Sequence, residues 1–174
     1  MRVLVPLDGT QVGERACPTI AGLMRLIDAD VLLMHVIRPH EVHGRFSSSA
    51  RQEDSLAPLG TPMGQRLPVE EPLPRPAEDR SQAFARVHSE REDYLRDVAA
   101  RYFAGCRVEV LVVGDEQPAR AIVECARKHQ VDGVAMATRG RAGLAHTLFG
   151  SVAEAVIRES PVPVLVVGPK AVSG

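Results

Sequence analysis

Five short aliphatic runs, each separated from the next by a segment long enough for a helix, constrain this chain more than any other feature. They are Arg2 to Leu7 (RVLVPL), Val31 to Ile37 (VLLMHVI), Arg107 to Val113 (RVEVLVV), Gly133 to Thr138 (GVAMAT) and Pro163 to Val167 (PVLVV). Most are continuously apolar rather than alternating, as expected of parallel strands covered on both faces. The segments between them carry helical spacing. In the first, Val12, Ala16, Ile20, Leu23 and Ile27 recur every three or four residues, and Pro18 is tolerable only in a first turn, so this helix is expected to start late. The second, roughly Ala77 to Ala104, sets Phe84, Val87, Leu95, Val98 and Tyr102 on one stripe that Arg91 interrupts. The third repeats Ala119, Ile122, Val123 and Ala126 behind Pro118, a favoured first helical residue. The fourth opens at Ser151, where Ser-Val-Ala-Glu has capping-box spacing, and is expected to bury Val152, Val156 and Ile157 before Pro161 ends it.

Strand and helix alternate throughout, and right-handed crossovers turn that order into an α/β fold, an open parallel sheet with helices on both faces. An α+β fold would need clustered strands. The segment from Arg38 to Glu78 fits neither element. Seven of the 13 prolines fall there, with the tract Pro68 to Pro76, so it reads as an extended surface insertion in a single domain spanning 1–174. It leaves the second strand on the ligand side, where a lid would lie.

Charge and composition narrow the function. With 21 basic and 22 acidic residues, net charge -1 and no basic run, the chain lacks the footprint of a nucleic-acid binder, and 3% aromatic residues offer few stacking platforms. No apolar run is long enough to cross a bilayer, and MRVLVPLDGT is not a secretory signal, so a cytoplasmic address is expected. Cys17, Cys106 and Cys125 lie far apart beside apolar stretches and are expected to be buried packing residues.

Ligands of open α/β sheets bind at the carboxyl ends of the strands. The first strand ends in Pro6-Leu7-Asp8-Gly9-Thr10, which serves equally as a turn with a helix cap or as a carboxylate at the rim. The fourth ends in Ala137-Thr138-Arg139-Gly140-Arg141-Ala142-Gly143, and Gly150-Ser151 opens the last helix. Glycines and a helix start present inward N–H groups suited to phosphate; Thr138 and Ser151 can add hydroxyls, and Arg139 and Arg141 guanidinium forks. The alternative is an ordinary loop with solvated arginines, since no GxxxxGK[ST] motif is present. His35 reads as a packed strand histidine, His146 as a surface residue, and His40 and His43 lack the companions of a metal site.

Three pieces in order, VLVPLDGT, VLLMHVI and ATRGRAGLAHTLFGSVAEAVIRESPVPVLVV, give the chain a resemblance to the universal stress protein family. In the nucleotide-binding branch the loop reads Gly, two residues, Gly, nine residues, Gly, then Ser or Thr. Here Gly140 and Gly150-Ser151 match, while Ala137 replaces the first glycine. The resemblance implies a Rossmann-like sheet of order 3-2-1-4-5 and a homodimer paired through the final strand. It implies ATP, with or without Mg, bound at the carboxyl ends of strands one and four, with Pro6, Leu7, Asp8 and the Val36 backbone on the adenine side. Ala137, Thr138, Arg139, Gly140, Arg141, Ala142 and Gly143 would surround ribose and phosphates, and Gly150, Ser151 and Val152 would close the phosphate site. The expected role is regulatory, with slow or no hydrolysis. A true ATP hydrolase needs a positioned base and usually a carboxylate-held metal; Asp115 and Glu116 are the remaining candidate acids, though Gly-Asp-Glu-Gln-Pro reads equally well as a turn into the helix at Pro118, while Glu154 is explained by the capping box. A dimeric module without nucleotide, favoured by Ala137, is the other alternative.

Overall fold

The computed structural model describes residues 1–39, 80–138 and 149–168. Most of the proline-rich segment, the loop residues Arg139, Gly140, Arg141, Ala142 and Gly143, and His40, His43, His146 and Pro169 lie outside the described residues.

The described chain runs β1 (Arg2–Pro6), α1 (Gln11–Glu14), α2 (Cys17–Leu26), β2 (Asp30–Ile37), α3 (Arg80–Tyr102), β3 (Val108–Gly114), α4 (Pro118–Lys128), β4 (Gly133–Ala137), α5 (Ser151–Glu159) and β5 (Val164–Val167). All strand pairs are parallel, in the order β3-β2-β1-β4-β5. The expected α/β architecture and strand order are therefore observed.

The continuous apolar runs feed two cores, because successive side chains of a strand point to opposite faces. Val3, Val5, Val31, Leu33 and Ala135 face one way, against Ile20 and Met24 of α2 and Val87, Leu95 and Val98 of α3. Leu4, Leu32, Met34, Val134 and Met136 face the other, against Ile122 and Ala126 of α4 and Ala153 and Val156 of α5. Helices thus cover both faces.

Several local expectations need correction. The first inter-strand helix is two helices: α1 is a single turn capped by Thr10, and α2 starts at Cys17 with Pro18 in its first turn, where the missing N–H costs nothing. The break rotates Val12 out to 41% exposure, and Ile27 at the far end is exposed as well, so neither belongs to the buried stripe. Ser151 is not an N-cap. Gly150 takes that position with φ +80, its carbonyl accepts from the Glu154 N–H (2.9 Å), and Ser151 is the first helical residue. Ile157 is exposed, because α5 buries only Ala153 and Val156 against the sheet. Finally, Cys17 and Cys125 are buried as expected but Cys106 is only half-buried.

Candidate functional site

The site is built where the sheet parts. β1 pairs with β2 at five positions but with β4 only at Val3–Gly133 and Leu4–Val134. Pro6 then has no N–H to offer β4, and the chain turns away at Leu7-Asp8-Gly9. This is the switch point of the strand order, where connections leave for opposite sides of the sheet.

At the turn, Gly9 adopts φ +73, a left-handed conformation that a side chain would strain. Oδ1 of Asp8 accepts from the Thr10 N–H (3.0 Å) and the Thr10 hydroxyl (2.6 Å). The Thr10 hydroxyl in turn accepts from the Gly13 N–H (3.2 Å), capping α1. Asp8 is therefore both a turn residue and an exposed carboxylate at the rim; the two readings of its sequence are compatible. Gly13, which the sequence did not single out, is held by sterics: a Cβ there would lie 2.7 Å from Asp8 Oδ1.

Next to this turn, β2 runs on. Its backbone groups alternate between neighbours: Met34 C=O accepts from the Leu7 N–H (2.8 Å) on the β1 side, while Ile37 C=O accepts from the Asp115 N–H (3.0 Å) on the β3 side. Val36, two residues past Met34, thus presents its N–H and C=O toward the space that β1 has left. It is half-buried, between buried His35 and buried Ile37. Nδ1 of His35 donates to the Leu7 carbonyl (2.9 Å), and the Tyr94 ring of α3 meets the imidazole edge-on, centroids 6.2 Å apart.

On the other side of the gap, Ala137 ends β4 in register with Val167. Its backbone is extended, needing no left-handed φ, and its methyl packs against the α2/α3 core. Thr138 is buried; its N–H donates to the Val167 carbonyl (3.0 Å) and its hydroxyl to the Phe149 carbonyl (3.1 Å). That second bond clasps the two ends of the glycine loop, so Thr138 holds the loop's stem, and it brings Gly150 and Ser151 beside the end of β4. Among the described residues a Cβ at Gly150 would meet nothing within 4 Å, so it is the positive φ there that calls for glycine. Ser151 is exposed, and Val152 leans on the α4/α5 core.

The acids considered for catalysis are placed differently. Asp115 accepts from the Gln117 N–H (2.7 Å) and from Arg120 Nη2 (2.9 and 2.8 Å), and these bonds hold its carboxyl below the usual range. It shapes the entry to α4, as the turn reading of Gly-Asp-Glu-Gln-Pro implies. Glu154 is exposed in the first turn of α5. Among the described residues no three His, Cys, Asp or Glu side chains gather as a metal site, and no helix is long and apolar enough to cross a membrane.

Comparison with known proteins gives a consistent result. The chain is 28% identical over 167 residues to the universal stress protein MJ0531 of Methanocaldococcus jannaschii, covering 95% of this chain and 81% of that protein. It is 29% identical over 172 residues to MJ0577 of the same organism, covering 95% and 93%. In fold it resembles the solved structure of MJ0577 (TM-score 0.63, 24% identity, 96% and 94% covered). It likewise resembles a universal stress protein in complex with cAMP (TM-score 0.59, 19% identity, 97% and 96% covered). A third fold match is the universal stress protein of Archaeoglobus fulgidus in complex with dAMP (TM-score 0.50, 20% identity, 95% and 96% covered). The universal stress protein family profile matches residues 1–168, and with the sheet order and strand-end loops described above, this chain belongs to the universal stress protein family.

Proposed function

We propose that this protein is a regulatory adenine-nucleotide binder that takes ATP at the carboxyl ends of β1 and β4. The observation that carries the reading is the parted sheet itself. At one switch point it exposes a carboxylate (Asp8), a strand edge with an outward N–H and C=O (Val36), and a left-handed glycine opening a helix (Gly150). The first two suit the polar edge of a purine; the helix start, with Ser151, suits phosphate. Adenine nucleotides on two proteins of the same fold, cAMP in one and dAMP in the other, support the ligand class. Ala137 is compatible with it, since its backbone is extended and its methyl turns into the core. Arg139, Gly140, Arg141, Ala142 and Gly143 complete the site in this proposal.

The described residues suit a nucleotide better than a resident metal. Mg would arrive on the phosphates, which are its ordinary ligands, rather than in a protein cage. The role is binding and signalling, with slow or no turnover, in the cytoplasm and as a homodimer through β5.

Isothermal calorimetry tests the site. The parent is expected to bind ATP with one site per chain, and Gly140→Val to lose it while keeping the parent's circular dichroism. Equal binding by both proteins would remove the glycine loop from the site, and a parent that ignores ATP would favour the dimeric module without nucleotide.

A further inference from the structure

In a regular parallel ladder the Leu7 carbonyl would accept from the N–H of Val36, two residues beyond the Met34 that accepts from the Leu7 N–H. Here no backbone bond joins Val36 to Leu7. The carbonyl is taken by a side chain from the residue next door: His35 Nδ1 lies 2.9 Å away, and because a carbonyl only accepts, Nδ1 carries the proton. His35 is buried, with 4% of its surface exposed, and its ring is steadied by Tyr94, inclined 77° to it. The place where a Gly9 Cβ would sit is 3.5 Å from His35 Cε1, so the imidazole also lies under the Asp8–Gly9 turn.

We infer that His35 is a positioning residue that sets nucleobase specificity: by occupying the Leu7 carbonyl it keeps the Val36 N–H and C=O turned outward to read a purine edge. The inference rests on the nucleotide reading above and names what selects the base. A backbone donor beside an acceptor complements adenine, whose N1 accepts and whose 6-amino group donates. It mismatches guanine, whose 6-oxo group accepts and whose N1–H donates, so a guanine places like against like. If the Leu7 carbonyl were released, the Val36 N–H is the nearest backbone donor in register to take it, and the reading edge would close.

Replacing the imidazole in two ways separates this from simple packing. His35→Asn keeps an amide nitrogen close to the place of Nδ1 and can still donate to Leu7, whereas His35→Leu fills the volume without a donor. With ATP and GTP as probes in calorimetry, His35→Leu is expected to weaken ATP by about tenfold, the effect of one hydrogen bond lost and one competitor gained, and to shrink the ATP over GTP preference. His35→Asn is expected to stay within about threefold of the parent. A second readout needs no nucleotide: by amide hydrogen exchange, Val36 should exchange faster than Met34 in the parent and become protected in His35→Leu. Equal losses in the Asn and Leu variants, or an unchanged preference in His35→Leu, would overturn the proposal. So would a parent in which the Val36 amide is already as protected as that of Met34. A parent that binds no ATP sinks the nucleotide reading, and the proposed link to base selection with it, while the exchange data still decide whether His35 controls the Val36 edge.

Discussion

Gly13 is set by a side chain of the candidate site rather than by helix propensity. It lies in α1, where alanine would ordinarily stabilise a helix by about 1 kcal/mol, yet its Cβ would meet the Asp8 carboxylate at 2.7 Å. That carboxylate is held by two bonds from Thr10, so it must break them to make room. Gly13→Ala is therefore expected to leave thermal stability nearly unchanged while lowering ATP affinity several-fold. A binding isotherm matching the parent's would show that Asp8 need not be held in place. No pattern in the sequence marks Gly13, since its constraint comes from a side chain five residues away across a turn. Asp8 itself was legible as a rim residue at a strand end. Thr138 was legible only as a hydroxyl in the right neighbourhood; that it clasps Phe149 depends on where the chain returns. Ser151 read as a cap because its spacing to Glu154 is right, but the left-handed φ of Gly150 moves the cap back one residue and leaves the Ser151 side chain outside that role.

Among the elements, β5 raises a problem that its sequence announces. It is an edge strand, paired with β4 alone among the described residues, and Leu165 is 40% exposed on it, with Ile157 of α5 also exposed. An apolar edge with open N–H and C=O groups attracts another strand. We propose that a second copy supplies it, pairing antiparallel about a two-fold axis, which closes the assembly. Val166→Asp, half-buried in that strand, is then expected to shift sedimentation from dimer to monomer at micromolar concentration; a parent already monomeric there would exclude the pairing. Strand positions were readable to within a residue or two because parallel strands covered on both faces demand continuous apolar runs. The α1/α2 break was half-readable: Pro18 required a late start, but the orientation of the separate first turn, which exposes Val12, follows from the Gly9 turn and the Asp8–Thr10 contacts.

At the scale of the whole molecule, burial links the core to pH. Burial, with Glu14 nearby, pushes the Cys17 thiol up to about 12, and burial also raises Cys125. Burial and the neighbouring Glu14 raise Tyr94 too. These acids keep their protons in the folded chain at pH values where the unfolded chain, with ordinary values of 9.0 for the thiols and 10.0 for the phenol, has lost them. Their contribution is complete below about pH 9 and is lost as the pH rises toward 12. The melting temperature is thus expected to fall through that range, and Cys17→Ala to make the fall shallower; an identical slope in the variant would remove Cys17 as a cause. The sequence alone determined the α/β class, the alternation of elements and, through its motifs, the family. Periodicity and turn chemistry are local, and each is complete within a few residues of chain. Only the tertiary structure decided that β1 stops pairing with β4 at Leu4, that the Leu7 carbonyl goes to His35 instead of Val36, and that Thr138 reaches Phe149. Those contacts join residues 11 or more positions apart, and a hydrogen bond between distant residues is settled by which partners the packed sheet brings within about 3 Å.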